Sequence, residues 1–224
     1  MNFDIICPNC GAASSIVVGV CPYCKTVLSI NSEKGDHSLS AVKAAHEAGK
    51  TDRSLSLVTA LEQEKPELLD NIEFVLLYTR ILFEVDGPSS KIKSLLTKAL
   101  ILAPGHPDVL EYLEVIEAES MMTREPNDEG EQRLMRLIRR SPNNVYALFF
   151  LGSHLFWVQG NGGAALKYLE PCVRLRPNFI RAKACLAMIY KELNKPDMAK
   201  RFFDECAAST SSNRTKSFFK RLTD

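Results

Sequence analysis

The chain has 224 residues, of which 46% are hydrophobic, enough for a folded protein with a substantial core. Its 11 glycines and 11 prolines are too few for a fibrous or disordered class. No apolar run approaches the roughly 20 residues that span a bilayer. The first residues lack the pattern of a signal peptide, so we expect a cytoplasmic protein.

Charge is unevenly distributed along the chain, although the net charge is only +1. Residues 1–160 carry 15 Lys and Arg against 21 Asp and Glu, whereas residues 161–224 carry 13 against 6. The small net charge argues against nucleic-acid binding through bulk electrostatics. The basic C-terminal third has two interpretations, namely solvated helix faces or a patch for an acidic partner.

Four cysteines near the N-terminus form two Cys-Pro-x-Cys pairs separated by ten residues: Cys7, Cys10, Cys21 and Cys24. Four thiolates at this spacing suit one tetrahedral Zn²⁺ ion in a closed structural site. Each proline fixes φ, which turns the second thiol of its pair toward the same ion. A segment of about 30 residues buries too little apolar area to fold alone, and a bound metal supplies the missing free energy.

The segment resembles the short zinc-ribbon modules that are common in bacterial proteins, because the first pair reads Cys-Pro-x-Cys-Gly and the runs 16–18 and 26–30 are β-prone. The second pair departs from that pattern with Lys25 in place of glycine. The resemblance implies a small N-terminal β zinc ribbon over residues 1–30.

Other chemistries of the cysteine pairs stay open. Iron bound in the rubredoxin manner uses the same ligands, and Cys-x-x-Cys pairs also serve in redox centres. Nucleic-acid binding through the ribbon is a further alternative. Lys25 and Lys34 are the only cations in residues 1–35, which disfavours it.

Residues 31–38 form a polar linker that ends in a candidate N-cap at Ser38 or Ser40. The pattern beyond it is helical, and prolines close successive units at spacings of 38, 38 and 35 residues. These prolines are Pro66, Pro104, Pro142 and Pro177. Such spacings are near the 34-residue period of a helix-turn-helix repeat.

The last two units resemble tetratricopeptide (TPR) repeats. Their motifs are Leu148-x-x-Leu151-Gly152-x-x-Leu155 with Ala165-x-x-x-Leu169, and Leu186-Ala187-x-x-Tyr190 with Ala199-x-x-x-Phe203. The resemblance implies a mainly α fold, an α-solenoid of antiparallel helix pairs. We expect about five pairs over residues 39–208 and a capping helix within 209–224. Cys172, Cys185 and Cys206 are expected to be core thiols.

No catalytic arrangement stands out in the sequence. The run Gly160-Asn161-Gly162-Gly163 lies between two predicted helices, with no strand before it and no Gly-Lys-Ser/Thr after it. It therefore indicates a turn and not a phosphate loop. The four histidines are scattered, and we expect no enzymatic activity.

The TPR resemblance implies a concave groove that binds a partner peptide or helix. The faces that would line it run from acidic to aromatic to basic: Asp70, Glu73, Asp108, Glu111, Tyr146, Phe149, Ser153, Phe156, Arg181, Met188 and Lys191. Packing against the neighbouring repeat is an equal alternative for Phe149 and Phe156. Phe150 and Trp157 are expected to face the core or an adjacent helix.

These patterns predict a non-enzymatic adaptor or scaffold that binds another protein in the groove, with the zinc ribbon as a second contact element. Two alternatives remain. One is a nucleic-acid-associated accessory protein that uses the ribbon and the basic C-terminal third, which steep loss of binding in salt would indicate. The other is a zinc- or redox-responsive regulator, which rapid zinc release under mild oxidant would indicate.

Overall fold

A computed structural model describes residues 4–6, 13–15, 38–124 and 128–209 of the chain. Two short strands, β1 (Asp4–Ile6) and β2 (Ala13–Ser15), pair in antiparallel fashion with Ile6 opposite Ala13. The predicted metal ligands Cys7, Cys10, Cys21 and Cys24 lie outside the described residues, as do the runs 16–18 and 26–30 and residues 210–224.

The prediction of a mainly α fold is confirmed, because the described residues contain ten α-helices and one 3-10 turn, Pro66–Asp70. The helices are α1 (Leu39–Glu47), α2 (Thr51–Glu64), α3 (Ile72–Val85), α4 (Ser89–Leu102), α5 (Pro107–Arg124), α6 (Glu129–Arg140), α7 (Val145–Trp157), α8 (Gly162–Leu175), α9 (Ile180–Glu192) and α10 (Pro196–Ser209). Within the described part of the chain, no helix is both long and apolar enough to cross a membrane.

Consecutive helices pack in pairs, α1 with α2 through α9 with α10, and each pair packs on the next. The α7–α8 pair shows why small residues are needed at the contact. A Cβ atom added to Gly152 would lie 2.6 Å from Cγ of Leu169. The glycine therefore lets the two helices approach closely.

Side chains cap several of the helix N-termini. The hydroxyl of Ser38 accepts a hydrogen bond of 3.2 Å from the backbone N–H of Ala41 at the start of α1. Asn71, Asn144 and Asn161 accept backbone N–H bonds in the same way at the starts of α3, α7 and α8. Asn161 therefore ends the predicted glycine-rich turn, and Gly162 already belongs to α8.

The three cysteines of the helical part are free thiols in the core, as the sequence predicts. The Cys172 thiol donates to the carbonyl of Val145 at 3.4 Å, and the Cys206 thiol donates to the carbonyl of Ile180 at 3.7 Å. Burial raises the pKa of Cys172 and of Cys185, so both remain protonated and unreactive near neutral pH.

Candidate functional site

A polar cavity of about 680 Å³ lies among the first helices of successive pairs. This volume falls within the usual range for ligand pockets, roughly 300–1,000 Å³. Its walls come from α1, α3 and α5, from the turn before α7 and the first two residues of α7, and from Arg176 after α8. The lining residues are Lys43, His46, Glu47, Glu73, Leu77, Arg80, Asp108, Glu111, Tyr112, Ser141, Pro142, Asn143, Asn144, Val145, Tyr146 and Arg176.

Ion pairs join neighbouring helices across the cavity wall. Lys43 of α1 pairs with Glu73 of α3. Nη2 of Arg80 on α3 donates to Asp108 on α5 at 2.6 Å, and Nε of Arg80 donates to the Tyr112 hydroxyl at 2.8 Å. An ion pair therefore joins α1 to α3 along the cavity wall, and another joins α3 to α5.

The step from α5 to α7 lacks a cation. The carboxylate of Glu111 accepts hydrogen bonds from the Ser141 hydroxyl and, at 2.7 Å, from the side-chain amide of Asn144. Asn144 is also the N-cap of α7, since its Oδ1 accepts from the N–H of Ala147 at 2.9 Å. Glu111 thus orients the residue that starts α7.

A buried charged cluster around Glu84, whose exposure is only 2%, adjoins the cavity through the lining residues His46, Tyr146 and Arg176. Arg176 donates to the Glu84 carboxylate through Nε at 3.1 Å. The Tyr146 hydroxyl donates to the same carboxylate at 3.3 Å. Burial, together with the charge of Glu84, raises the pKa of Tyr146 well above its usual value. The phenol therefore stays a neutral hydrogen-bond donor.

His46 completes this cluster. Its Nε2 lies 3.1 Å from Oε1 of Glu84 and 2.9 Å from Nη2 of Arg176. When Nε2 of His46 carries the ring hydrogen it donates to Glu84, and when it does not it accepts from Arg176. His46, Glu84 and Arg176 therefore act as a single hydrogen-bonded unit.

Residues 176–181 cap the C-terminal ends of two distant helices. Arg176 donates to the His46 carbonyl at 3.0 Å, and Asn178 donates to the Glu47 carbonyl at 2.7 Å, both in the last turn of α1. Arg181 donates to the Phe83 carbonyl near the end of α3 at 2.8 Å. Carbonyls in the last turn of a helix have no N–H partner within that helix. The His46 carbonyl also accepts from the N–H of Gly49 at 3.0 Å, so the donors from residues 176–181 add to a local cap. The segment after α8 therefore closes the array against its first helix.

Aromatic rings fill the inner face beside the cavity. Phe83 stacks on Tyr146 with ring centres 4.8 Å apart and meets Tyr112 edge-on at 5.7 Å. Phe149 lies 4.6 Å from Phe179, and Tyr146 lies 6.1 Å from the same ring. These aromatic side chains therefore fill the centre of the inner face, where a continuous groove for a partner would have to lie.

Four of the predicted groove residues line the cavity: Glu73, Asp108, Glu111 and Tyr146. Asp70 does not, because it ends the 3-10 turn and pairs with Lys98 at 2.8 Å on the exterior.

Phe149 and Phe156 are buried, with exposures of 2% and 4%. The structure therefore places both rings in the core, the alternative that the sequence left open. They are unavailable to a partner because the neighbouring helices cover them. Trp157, expected to face the core or an adjacent helix, ends α7 and is 58% exposed, so it does not lie in the core. Its side chain contacts the Cys185 thiol of the adjacent helix α9 instead.

The remaining predicted residues lie outside the cavity, toward α9. Arg181 pairs with Asp86 at 2.6 Å and lies over the Phe149 ring. Burial lowers the pKa of Arg181, and Asp86 opposes that effect. The Ser153 hydroxyl is 3.8 Å from the Cys185 sulfur. Met188 packs against the core and Lys191 is exposed.

Sequence reasoning missed much of the cavity wall, including Lys43, His46, Arg80, Tyr112, Asn144 and Arg176. The prolines gave a usable signal for two of them. Asn144 lies two residues after Pro142, and Arg176 lies one residue before Pro177, so both belong to the turns that close successive units.

No group of three or more His, Cys, Asp or Glu side chains in the described ranges could hold a metal ion. The predicted ligand cysteines are outside those ranges.

Comparison with known proteins shows similarity at the level of structure. No family model matches the chain, and no curated protein matches it. The structure of the MamA protein is 18% identical over 76% of this chain and 88% of that chain, with a TM-score of 0.38.

Two further solved structures are similar. A tetratricopeptide repeat protein from Parabacteroides merdae is 15% identical over 81% of this chain and 68% of that chain, with a TM-score of 0.48. The TPR protein TTC0263 from Thermus thermophilus is 14% identical over 82% of this chain and 96% of that chain, with a TM-score of 0.45. No function follows from similarities with TM-scores below 0.5.

Proposed function

We propose that this protein is a non-enzymatic adaptor that binds a segment of another protein in the cavity. The observation that carries the proposal is the cavity itself, a concave site of about 680 Å³ built from four successive first helices and two inter-helix turns. Its lining combines charged groups with Leu77, Pro142 and Val145, as expected for a site that fixes a partner by polar contacts around apolar ones.

The polar groups of the cavity support binding and not chemistry. Ser141 donates to Glu111, and His46 contacts Glu84 and Arg176. Ser141 and His46 are not hydrogen-bonded to each other in the described structure, so they do not form a pair of nucleophile and base. The described cysteines have raised thiol pKa values, as noted for Cys172 and Cys185.

The N-terminal segment would supply the second contact element as a zinc ribbon. The antiparallel pairing of β1 with β2 supports this part of the proposal, because residues 7–12 connect the two strands and include Cys7 and Cys10. A cysteine pair in the segment that joins two antiparallel strands is the sequence arrangement of a metal knuckle. With Cys21 and Cys24, the donor set is four thiolates, which favours one structural Zn²⁺ ion.

The cavity is tested by site-specific photo-crosslinking in the native cell. A photo-reactive amino acid replaces Asn143, an exposed residue on the cavity wall. We expect it to crosslink a protein partner, and we expect the crosslinked product to remain after nuclease treatment. The matched control is the same replacement at Gly105. Each residue follows the proline of its turn, but Gly105 has open space around it and does not line the cavity.

Identification of the trapped species by mass spectrometry decides the result. A protein trapped from position 143 and absent from position 105 supports the adaptor. Equal trapping from both positions would refute the cavity as the binding site. Crosslinked products that disappear with nuclease would refute it as well and would favour the nucleic-acid alternative.

The zinc site is tested by metal content. We expect the purified chain to hold one zinc ion and little iron, because four thiolates bind Zn²⁺ as a closed tetrahedral site. The Cys10→Ser variant should lose most of that zinc. Cys185→Ser, which alters a buried thiol of the helical part, should retain it. Mass spectrometry of metals in all three proteins gives the answer, and equal zinc in the two variants would refute the ligand assignment.

A further inference from the structure

The charges that line the cavity are not balanced. Its three Lys and Arg side chains all have an acidic partner: Lys43 pairs with Glu73, Arg80 with Asp108, and Arg176 with the buried Glu84. Two lining carboxylates, Glu47 and Glu111, have no ion pair with any described residue. The lining therefore offers two carboxylates to a bound cation, whereas each of its lysine and arginine side chains is already paired with a carboxylate.

Glu47 is placed where a negative charge is unfavourable in isolation. It is the last residue of α1, at the end of the helix where the carbonyl dipoles already concentrate negative potential. Asn178 satisfies the Glu47 carbonyl, and the carboxylate itself stays exposed at the cavity mouth. A cation bound there would relieve both sources of negative potential.

Glu111 lies deeper in the wall and is bound by neutral donors only, the hydroxyl of Ser141 and the amide of Asn144. The guanidinium of Arg140 acts on Glu111 through its charge but makes its hydrogen bond with Glu114, at 2.7 Å. Neutral donors orient the carboxylate toward a fixed position without cancelling its charge.

Apolar surface lies beside these carboxylates. Leu77, Pro142 and Val145 line the cavity together with the ring of Tyr146. A lysine or arginine side chain has an aliphatic stem that packs on such surface while its charged end reaches a carboxylate. Acidic side chains would meet two unpaired carboxylates and no unpaired lining cation among the described residues.

We propose that the cavity binds a partner protein through a basic peptide segment, with a lysine or arginine side chain whose charge Glu47 and Glu111 neutralise. This inference rests on the proposed function, since it names the chemistry of the segment that the adaptor binds.

The test uses the full chain and a bead library of acetylated, amidated tetrapeptides in which each position is Lys, Arg, Asp, Glu, Leu, Phe, Ser or Ala. We expect the retained beads to be enriched several-fold in Lys or Arg at one or two positions. The acetyl and amide caps remove terminal charges, so enrichment reports on side chains alone.

Two double variants separate cavity binding from general attraction to an acidic surface. In Glu47→Gln/Glu111→Gln, enrichment should disappear, and a selected peptide should bind on the order of tenfold more weakly. In Glu111→Gln the amide oxygen can accept from Asn144 while the amide NH2 donates to the Ser141 hydroxyl, so the wall is preserved. The control Glu117→Gln/Glu119→Gln neutralises two carboxylates of the same α5 helix outside the cavity and should leave binding unchanged.

The outcomes distinguish this inference from the proposed function. Enrichment of acidic or purely apolar peptides that depends on the cavity would overturn the basic-segment inference and leave the adaptor in place. Basic enrichment that persists in Glu47→Gln/Glu111→Gln would also overturn it. Failure of every peptide to bind, together with no trapped protein at position 143, would overturn both.

Discussion

Replacement of Arg176 by alanine is expected to lower the free energy of unfolding by roughly 3–5 kcal/mol, because it leaves a buried carboxylate without its cation. Glu84 lies on α3 and is 2% exposed, and the guanidinium of Arg176, which follows α8, forms an ion pair with it. The same change removes one of the donors to the His46 carbonyl at the end of α1, which retains the N–H of Gly49. Urea unfolding followed by circular dichroism measures the loss.

A matched control and a compensating variant define the cause. Arg140→Ala also removes an arginine from an ion pair, but Arg140 is exposed, so the loss should be far smaller than that of Arg176→Ala. Glu84→Gln/Arg176→Met removes both charges together and should recover much of the stability. An Arg176→Ala protein as stable as Arg140→Ala would contradict the role assigned to the cluster.

Replacement of Phe83 by alanine is expected to cost roughly 3–5 kcal/mol of unfolding free energy, since a large buried ring leaves a cavity that its neighbours fill only in part. Phe83 is 1% exposed and contacts the rings of Tyr112, Tyr146 and Phe150. Two of these rings also line the polar cavity, so the loss should weaken binding as well as stability. Chemical unfolding and peptide binding are measured on the same variant.

Trp157→Ala is the control for Phe83→Ala because it removes a larger ring from an exposed position. Trp157 contacts Phe156 at 4.5 Å between ring centres but is mostly in solvent. We expect it to cost no more than about 1 kcal/mol, as surface substitutions usually do. If the two variants were equally destabilised, the aromatic cluster would not be the centre of the core that its contacts indicate.

The helical class could be predicted because its signals are local. Helix ends, proline-containing turns and the small residue Gly152 are each determined by neighbours within one unit. Burial of the thiols Cys172 and Cys206 could be predicted for the same reason, since they occupy equivalent places 34 residues apart on second helices.

The inner face could not be predicted in this way, and α7 shows why. Residues 145–151 of this helix are all apolar or aromatic, so the helical period does not distinguish its faces. The structure places Tyr146 at the cavity and Phe149 in the core. That division depends on Phe83 and Phe179, which come from other units.

The charged cluster was equally inaccessible from the sequence. His46, Glu84 and Arg176 have ordinary local sequences, and their partners are 38 to 130 positions away. A charged residue in a helix is more often solvated than buried. Three-dimensional contact alone identifies these residues as a unit.

The caps that residues 176–181 place on α1 and α3 also affect the order in which the chain folds. In a linear repeat array each unit interacts with its neighbours, so stability can propagate from any point and the ends fray independently. Here the end of α1 is capped locally by the backbone N–H groups of Ala48, Gly49 and Lys50, and it accepts further hydrogen bonds from residues 130 or more positions later. During synthesis these distant bonds form only after most of the chain has appeared, so the complete array should fold more cooperatively and more slowly than a set of local repeats.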